Sequence, residues 1–390
     1  MKSSREIGKS ILQVASGEFI GKSLALGITF VLAKMLSVTD FGTYNFLLSK
    51  IALLSIIPVT YSNAYLQKSR LGDNIIFERS IFYEAIVLQI GLVLIVSIFT
   101  EFSSIVLIGT IGFTLFALLR VFYNLQERYI RYGLVTVLQQ VGALLGTILF
   151  LLFWRSPSAE ILLFGNIFVG ILLVLVFFNV DTIATTKSVR GRFSFGLLRE
   201  YKLFILYYLF MNAFSFSDQY FVRELLGMEE LGLYSFSLKM YNISMFGIGP
   251  LLAVIRIRQI DLVKKSSNIK QFLKAHQKRV FALSMILGCC LYIGFQILVE
   301  FIFQDYRHSL NSTNILLLSS MISYNLLPFS FLLAQKRFKL IVVISAISLV
   351  LNIILNIQLI PFFGMLGAAC ATLVGHLFLN GLNVYYSLRS

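Results

Sequence analysis

The chain reads as an all-α integral membrane protein, with twelve transmembrane helices in two parallel-repeat six-helix lobes around a central cleft. Three observations predict this: an apolar composition, twelve separable apolar runs, and an internal repeat. The 390 residues are 58% hydrophobic and 13% charged, whereas a soluble domain carries about a quarter charged residues. A membrane-spanning helix needs about 20 predominantly apolar residues. Segments 11–33, 43–66, 81–100, 104–125, 134–154, 159–180, 203–222, 233–255, 280–303, 312–334, 340–360 and 364–387 meet that requirement.

The first run is too long for a signal-peptide core and lacks a small-residue cleavage site, so it is taken as the first membrane helix. An even number of spans puts both termini on one side, and the basic residues choose the side. With a cytoplasmic amino terminus, the outer loops hold only Lys34, Arg155, Arg223 and Arg307, and Lys22, Lys50, Arg120 and Lys239 lie inside spans. Every other Lys and Arg falls on the cytoplasmic side, as the positive-inside rule requires. The net charge of +15 therefore marks topology rather than nucleic acid. Cys289, Cys290 and Cys370 all fall in apolar runs, which excludes a disulfide framework and a thiolate metal site. The residues suggest no metal or cofactor.

The repeat is visible at a constant offset. LSVTDFGTYNF (36–46) aligns with LGMEELGLYSF (226–236) 190 residues later, and QERY (126–129) with QKRF (335–338) at 209. Most of the added length lies in the loop 256–279. Six spans separate matching elements, so both halves enter the membrane from the same side, as parallel repeats about an axis along the membrane normal. The expected lobes are 1–190 and 191–390, joined on the cytoplasmic side by DTIATTKSVRGRFSFGLLREYK (181–202).

At these motifs the sequence resembles the Wzx-type oligosaccharide-lipid flippases, which carry O-antigen or capsule repeat units, within the superfamily that also contains multidrug exporters and lipid II flippases. The carriers are LAKMLSVTDFGTYNFLLS (32–49), DQYFVRELLGMEELGLYSF (218–236) and LIPFFGMLGAACAT (359–372). Two features depart from the relatives: the seventh span lacks a proline near its start, and the cleft carries lysines where lipid II flippases favour arginines. The resemblance implies a bacterial inner-membrane flippase with both termini cytoplasmic. It would move a polyprenyl-pyrophosphate-linked oligosaccharide to the outer leaflet by alternating access, among membrane lipids and beside polysaccharide polymerase machinery, with no nucleic-acid partner and no catalysis of its own.

Charged residues at mid-bilayer cost about 2.5–3.5 kcal/mol each and persist where water or a partner reaches them. Counted from the outer ends of their helices at 1.5 Å per residue, Lys22 lies about 16 Å deep, Lys50 about 12 Å and Lys239 about 10 Å. Three ammonium groups at similar depth suit a pyrophosphate. Each has a plainer reading: an i,i+4 pair with Glu18 for Lys22, and snorkelling to the outer interface for Lys50 and Lys239. Pairing with Glu18 is compatible with release to phosphate in another state.

Asp218 is either an interfacial ion pair with Arg223 or a proton- or sodium-responsive carboxylate of the second half. Glu84 and Arg120, near the inner ends of their spans, are candidates for packing or an inner gate. Asn352, Asn356, Gln139 and Gln140 could meet sugar hydroxyls or bond between helices. His376 reads as a packed helix residue. Gly142, Gly146, Gly364 and Gly367 suit close helix contact. The basic, amphipathic stretch 256–279 reads either as ordinary topology anchoring on the cytoplasmic side or as an interfacial helix on anionic headgroups.

Two rival functions have distinct requirements. A multidrug exporter of the same fold should prefer acidic cleft residues. A membrane polysaccharide polymerase or acyltransferase needs an ordered acid, base or metal constellation on an aqueous loop, and the outer loops here are short. A facilitator-type sugar transporter would carry Asp-Arg-x-Gly-Arg after the second span, where QKSRLGDNIIFERS (67–80) stands.

Overall fold

The computed structural model describes residues 4–56, 58–61, 84, 87, 89–91, 104–126, 128–153, 158–177, 196–244, 269–323, 327–335 and 337–389. All the regular structure among them is helical. In order these are α1 (Ser4–Met35), α2 (Val38–Leu54), α3 (Ser104–Leu125), α4 (Tyr129–Phe153), α5 (Ala159–Phe177) and α6 (Gly196–Leu226). Then come α7 (228–244), α8 (Ile269–Phe301), a 3₁₀ turn (Gln304–Ser309), α9 (Leu310–Ser323), α10 (Leu327–Ala334), α11 (Phe338–Phe363) and α12 (Met365–Arg389). Seven helices among the described residues are long and apolar enough to cross a membrane. The chain is thus a multi-pass membrane protein.

Local chemistry sets the helix ends. Ser37 caps α2: its Oγ accepts the Asp40 amide at 3.1 Å, the N-cap bond, and donates to Asp40 Oδ2 at 2.7 Å. The repeat-related position 227 is glycine, at φ +95°, a left-handed conformation that glycine adopts without a Cβ penalty and that ends α6 before α7 begins. Gly364, at φ +59°, does the same between α11 and α12.

The stretch 256–279, for which an interfacial helix was one reading, lies partly outside the described residues, but 269–279 belong to α8, one continuous helix of 33 residues. A helix run without Pro or Gly until Gly288 gives the backbone no reason to turn at the membrane surface. Of the run 312–334, residues 312–323 and 327–334 are helical, and 324–326 lie outside the described residues. The linker 181–195 and most of the third span, 81–100, lie outside the described residues.

The described chain divides into two compact units: residues 1–31 with 44–209, and residues 32–43 with 210–390. In the first, α4 and α5 pack backbone to backbone. A Cβ on Gly142 would lie 2.3 Å from Gly170 Cα, and one on Gly146 would lie 2.5 Å from the Gly165 carbonyl oxygen. Small residues permit this approach, which supplies dispersion contact where lipid removes the hydrophobic drive between helices. Tyr61, Phe116, Leu119, Phe122, Tyr123 and Val135 form the buried core beside that pair.

In the second unit the two copies of the repeated motif meet. A Cβ on Gly42 would lie 2.8 Å from Gly232 N, and one on Gly232 would lie 2.0 Å from the Val38 carbonyl oxygen. Phe41 packs edge-on to Tyr306 at 5.6 Å, and Lys34 Nζ donates to the Ile302 carbonyl at 3.2 Å. Gly367 lets α12 turn back closely on α11 at Leu359, whereas Gly364 serves its backbone conformation rather than close contact.

Candidate functional site

The most concentrated polar chemistry in the second unit is at Asp218, on α6. Its side chain is 1% exposed, and every partner in its shell is uncharged. Asn352 Nδ2 donates to Oδ1 at 2.9 Å and Asn356 Nδ2 to the same oxygen at 2.7 Å. Tyr234 donates its hydroxyl to Oδ2 at 3.2 Å, and the Thr372 hydroxyl binds that oxygen too. Three further helices thus converge on the carboxylate: α7 through Tyr234, α11 through the asparagines, and α12 through Thr372. The asparagines reach one oxygen together because four residues advance a helix by little more than one turn.

This overturns the interfacial ion pair. Arg223 pairs with Glu224 at 3.1 Å on the exposed last turn of α6, while Asp218 sits more than a turn deeper. Asn352 and Asn356, both 0% exposed, commit their amide nitrogens to Asp218 rather than to a sugar. Around the carboxylate the shell is also rich in acceptors. Asn352 Oδ1 receives Ser217 Oγ at 2.6 Å, the Ala368 carbonyl receives Thr372 at 3.2 Å, and Asn356 Oδ1 is buried with no hydrogen-bond partner. A buried unpaired amide oxygen costs about 1–3 kcal/mol, so this atom marks an unmet demand for a donor or a cation.

The repeat explains what is special about this half. At the offset of 190, Tyr234 matches Tyr44 and Asp218 matches Ile28. In the first unit Tyr44 accepts from Asn166 Nδ2 at 2.9 Å, and Thr147 donates to Asn166 Oδ1 at 2.9 Å. The tyrosine therefore reverses its role. It donates to a carboxylate in one half and accepts from an amide in the other, where Ile28 is buried in place of the acid.

The first unit carries its charge elsewhere. Glu18 and Lys22 form the expected pair, Nζ to Oε2 at 3.5 Å, and Tyr132 of α4 donates to Glu18 Oε1 at 2.8 Å. Lys22 remains 42% exposed. Lys50 lies 4.8 Å from the centre of the Phe46 ring, one turn earlier on α2, a cation–π contact. Glu84 is buried with the Tyr61 hydroxyl on it. Arg120 turns its Nε to the Phe116 carbonyl at 3.4 Å. Gln139 and Gln140 are half-buried on α4. Lys239 is half-buried on α7 of the second unit.

His376 is packed, as expected. Its ring stacks 5.1 Å from Phe214 and 6.1 Å from Tyr241, and Nδ1 shares a 2.7 Å hydrogen bond with Ser319. Tyr132, Tyr234, Thr372 and Ser217 escape a search for charge. Tyr234 and Thr372 stand inside the quoted motifs, so the signal was present without a role attached.

The fold is similar to those of several solved membrane transporters. It matches an inward closed conformation of the lipid II flippase MurJ with a TM-score of 0.71 and 14% identity, over 96% of this chain and 87% of the other. An outward-facing multidrug resistance MATE family transporter matches at 0.62 and 14%, over 97% and 94%. The Vibrio cholerae MATE transporter VcmN matches at 0.61 and 12%, over 99% and 97%. In sequence, the uncharacterized membrane protein MJ1375 of Methanocaldococcus jannaschii is 25% identical over 211 residues, 54% of this chain and 50% of that protein. The chain thus spans about half the length of that curated relative. No family model matches the sequence.

Proposed function

We propose that this protein is a flippase that moves polyprenyl-pyrophosphate-linked oligosaccharides from the cytoplasmic to the outer leaflet of a bacterial inner membrane, by alternating access of halves 1–190 and 191–390. The observation that supports the reading is a lysine, Lys22, that sits within a membrane helix beside Glu18 and keeps 42% of its side chain exposed. In this reading Lys50 of the first half and Lys239 of the second half are the further ammonium groups offered to a diphosphate. The cargo carries about two negative charges. Moving each outward across an inside-negative membrane gains about 2.3 kcal/mol per 100 mV.

Asp218 is the coupling site in this reading. Its shell fits a monovalent cation such as sodium, because hard cations take carboxylate, carbonyl and hydroxyl oxygens. Asp218, Asn352, Asn356, Thr372 and the Ala368 carbonyl would hold it, and Asn356 Oδ1 is the acceptor still without a partner. A bound cation would supply a positive charge where the amide donors now neutralise the carboxylate. Half-turns of the two amides would exchange nitrogen for oxygen and convert the same shell from donors to ligands.

The likeness to MATE transporters supports a second reading, export of cationic drugs. Proteoliposome flipping of a labelled polyprenyl-pyrophosphate oligosaccharide separates the two. The flippase reading expects transport that falls at least tenfold when Lys22 and Lys50 are both alanine. Unchanged transport in that variant, or drug efflux without lipid flipping, refutes it.

A further inference from the structure

We propose that the cation coupled at Asp218 exchanges along the buried polar face of α12, toward the helix end at Arg389, and that the stacked rings of Phe214, His376 and Tyr241 are the gate across this route. The inference rests on the reading of Asp218 as a coupling site and adds the direction in which that site opens, toward the cytoplasm in the proposed topology.

Thr372, which binds Asp218, begins a row on α12 that continues through His376, Asn380, Asn383 and Ser387. Each is buried, at most 8% exposed. At about 100° per residue they fall within about 80° of the helix circumference, and the row is about 22 Å long. The polarity lies on one side of the carboxylate only. From Thr372 back to the start of α12 the buried residues are Met365, Gly367, Ala368, Ala369 and Ala371, none with a side-chain oxygen or nitrogen. Polar groups inside a membrane protein either bond between helices or line a path for water and ions. Asn380 Nδ2 turns back to the His376 carbonyl of its own helix at 3.0 Å, and Asn383 Oδ1 is buried with no hydrogen-bond partner. Neither feature joins α12 to a neighbouring helix. Helix association therefore does not account for the two asparagines, and the orphaned oxygen is an acceptor open to water or a cation.

Between this row and the carboxylate lies a layer of rings. Phe214 precedes Asp218 by one turn of α6, and His376 follows Thr372 by one turn of α12. Their rings stack at 5.1 Å with planes 18° apart, and Tyr241 of α7 stacks on His376 at 6.1 Å and 17°. The same three helices thus bind the carboxylate and close it off beneath. Gly375 makes the closure tight, because a Cβ there would lie 2.6 Å from Phe214 Cε2 and Cζ, so the ring rests on the α12 backbone. Ser319 of α9 shares a 2.7 Å hydrogen bond with His376 Nδ1, which fixes the middle ring. Offset rings packed face to face exclude water by dispersion contact, and turning one of them opens the layer without breaking an ion pair.

The test uses the full chain with Cys289, Cys290 and Cys370 replaced by alanine, in detergent, and a water-soluble cationic methanethiosulfonate as probe. Asn383→Cys is expected to react about tenfold faster than Ala369→Cys, because a thiol in dry apolar packing stays protonated and inert. Ala369, on the apolar side of Thr372, is at least as buried as Asn383. Exchange of radiolabelled sodium in proteoliposomes then reads the gate. Phe214→Ala is expected to speed exchange about tenfold, because opening no longer waits on a ring, while the sodium-dependent rise in melting temperature is kept. His376→Ala removes the middle ring and serves the same comparison should Phe214→Ala fail to fold. Labelling of Asn383→Cys no faster than that of Ala369→Cys overturns the route, and exchange at the wild-type rate in the folded ring variants overturns the gate. A wild type that melts no higher in sodium than in choline overturns the coupling site itself, which distinguishes that failure from failure of the route or the gate.

Discussion

Replacing Asp218 in two ways should separate its structural role from its charge. In Asp218→Asn the new side chain can turn its oxygen toward Asn352 and Asn356, whose amides donate at 2.9 and 2.7 Å. Its NH2 then faces Tyr234 and Thr372, and hydroxyls can accept as well as donate. All four partners stay satisfied, so the cost should be about 1 kcal/mol or less. Asp218→Leu offers no acceptor. Thr372 still has the Ala368 carbonyl at 3.2 Å and the Asn356 amide still has Asn352 Oδ1 at 3.1 Å, but the Asn352 amide and the Tyr234 hydroxyl lose their acceptor in a site with 0% exposure. Two orphaned buried donors at about 1–3 kcal/mol each place the loss at about 2–6 kcal/mol.

Cation binding should follow the charge rather than the stability. A ligand at a hundred times its dissociation constant stabilises the folded state by about 2.7 kcal/mol. The assay is thermal unfolding of purified protein in detergent, in sodium against choline at constant ionic strength. Wild type should melt higher in sodium. Asp218→Asn should melt close to wild type in choline with no sodium response, and Asp218→Leu should melt well below both. A full sodium response in Asp218→Asn would refute the coupling site, and equal melting of the two variants would refute the buried donor shell.

Three further outcomes follow from the geometry. Lys50→Met should keep the apolar contact with Phe46 and the fold while lowering the rate of lipid flipping severalfold, measured in proteoliposomes. Gly146→Ala should cost about 1–3 kcal/mol, read as a lowered melting temperature, because the new methyl would meet backbone atoms of Gly165 and Asn166 within 2.8 Å and α4 would have to move away from α5. Tyr306→Phe, in the 3₁₀ turn, should leave stability unchanged or slightly raised. Its hydroxyl is buried without a hydrogen-bond partner, and the ring contacts with Phe236 at 4.3 Å and Phe41 survive. Burial, and secondarily Asp305, push this phenol above the ordinary tyrosine range. It therefore stays neutral at physiological pH, and the substitution should not change the pH dependence of unfolding.

Periodicity and charge made the helices and the first-half charges legible in the sequence. Glu18 and Lys22 are four residues apart, and helix geometry alone joins them. The glycines at 142, 146 and 367 announced close packing by their residue type, although their partners could not be read. What stayed hidden was the company each group keeps across long sequence distances. Asp218 looked like a partner for the nearby Arg223, because sequence proximity is the cue available for a lone acid. The folded chain instead brings Asn352, Asn356 and Thr372 to it from helices more than 130 positions away. Those asparagines signalled a shared face by their spacing, but the spacing cannot say whether that face meets a ligand or a carboxylate. The basic stretch 256–279 was ambiguous for a similar reason. Charge and amphipathicity suit both an interfacial helix and the extension of a spanning one, and the backbone runs as one helix from 269 into the apolar part of α8.

The account is tested most directly by presenting two cargoes to the same reconstituted vesicles: a fluorescent polyprenyl-pyrophosphate oligosaccharide and a fluorescent organic cation. The predicted result is translocation of the lipid-linked sugar alone, accelerated by an inside-negative potential and lost when Lys22 and Lys50 are both alanine. Translocation of the organic cation alone, undisturbed by those two substitutions, would contradict it.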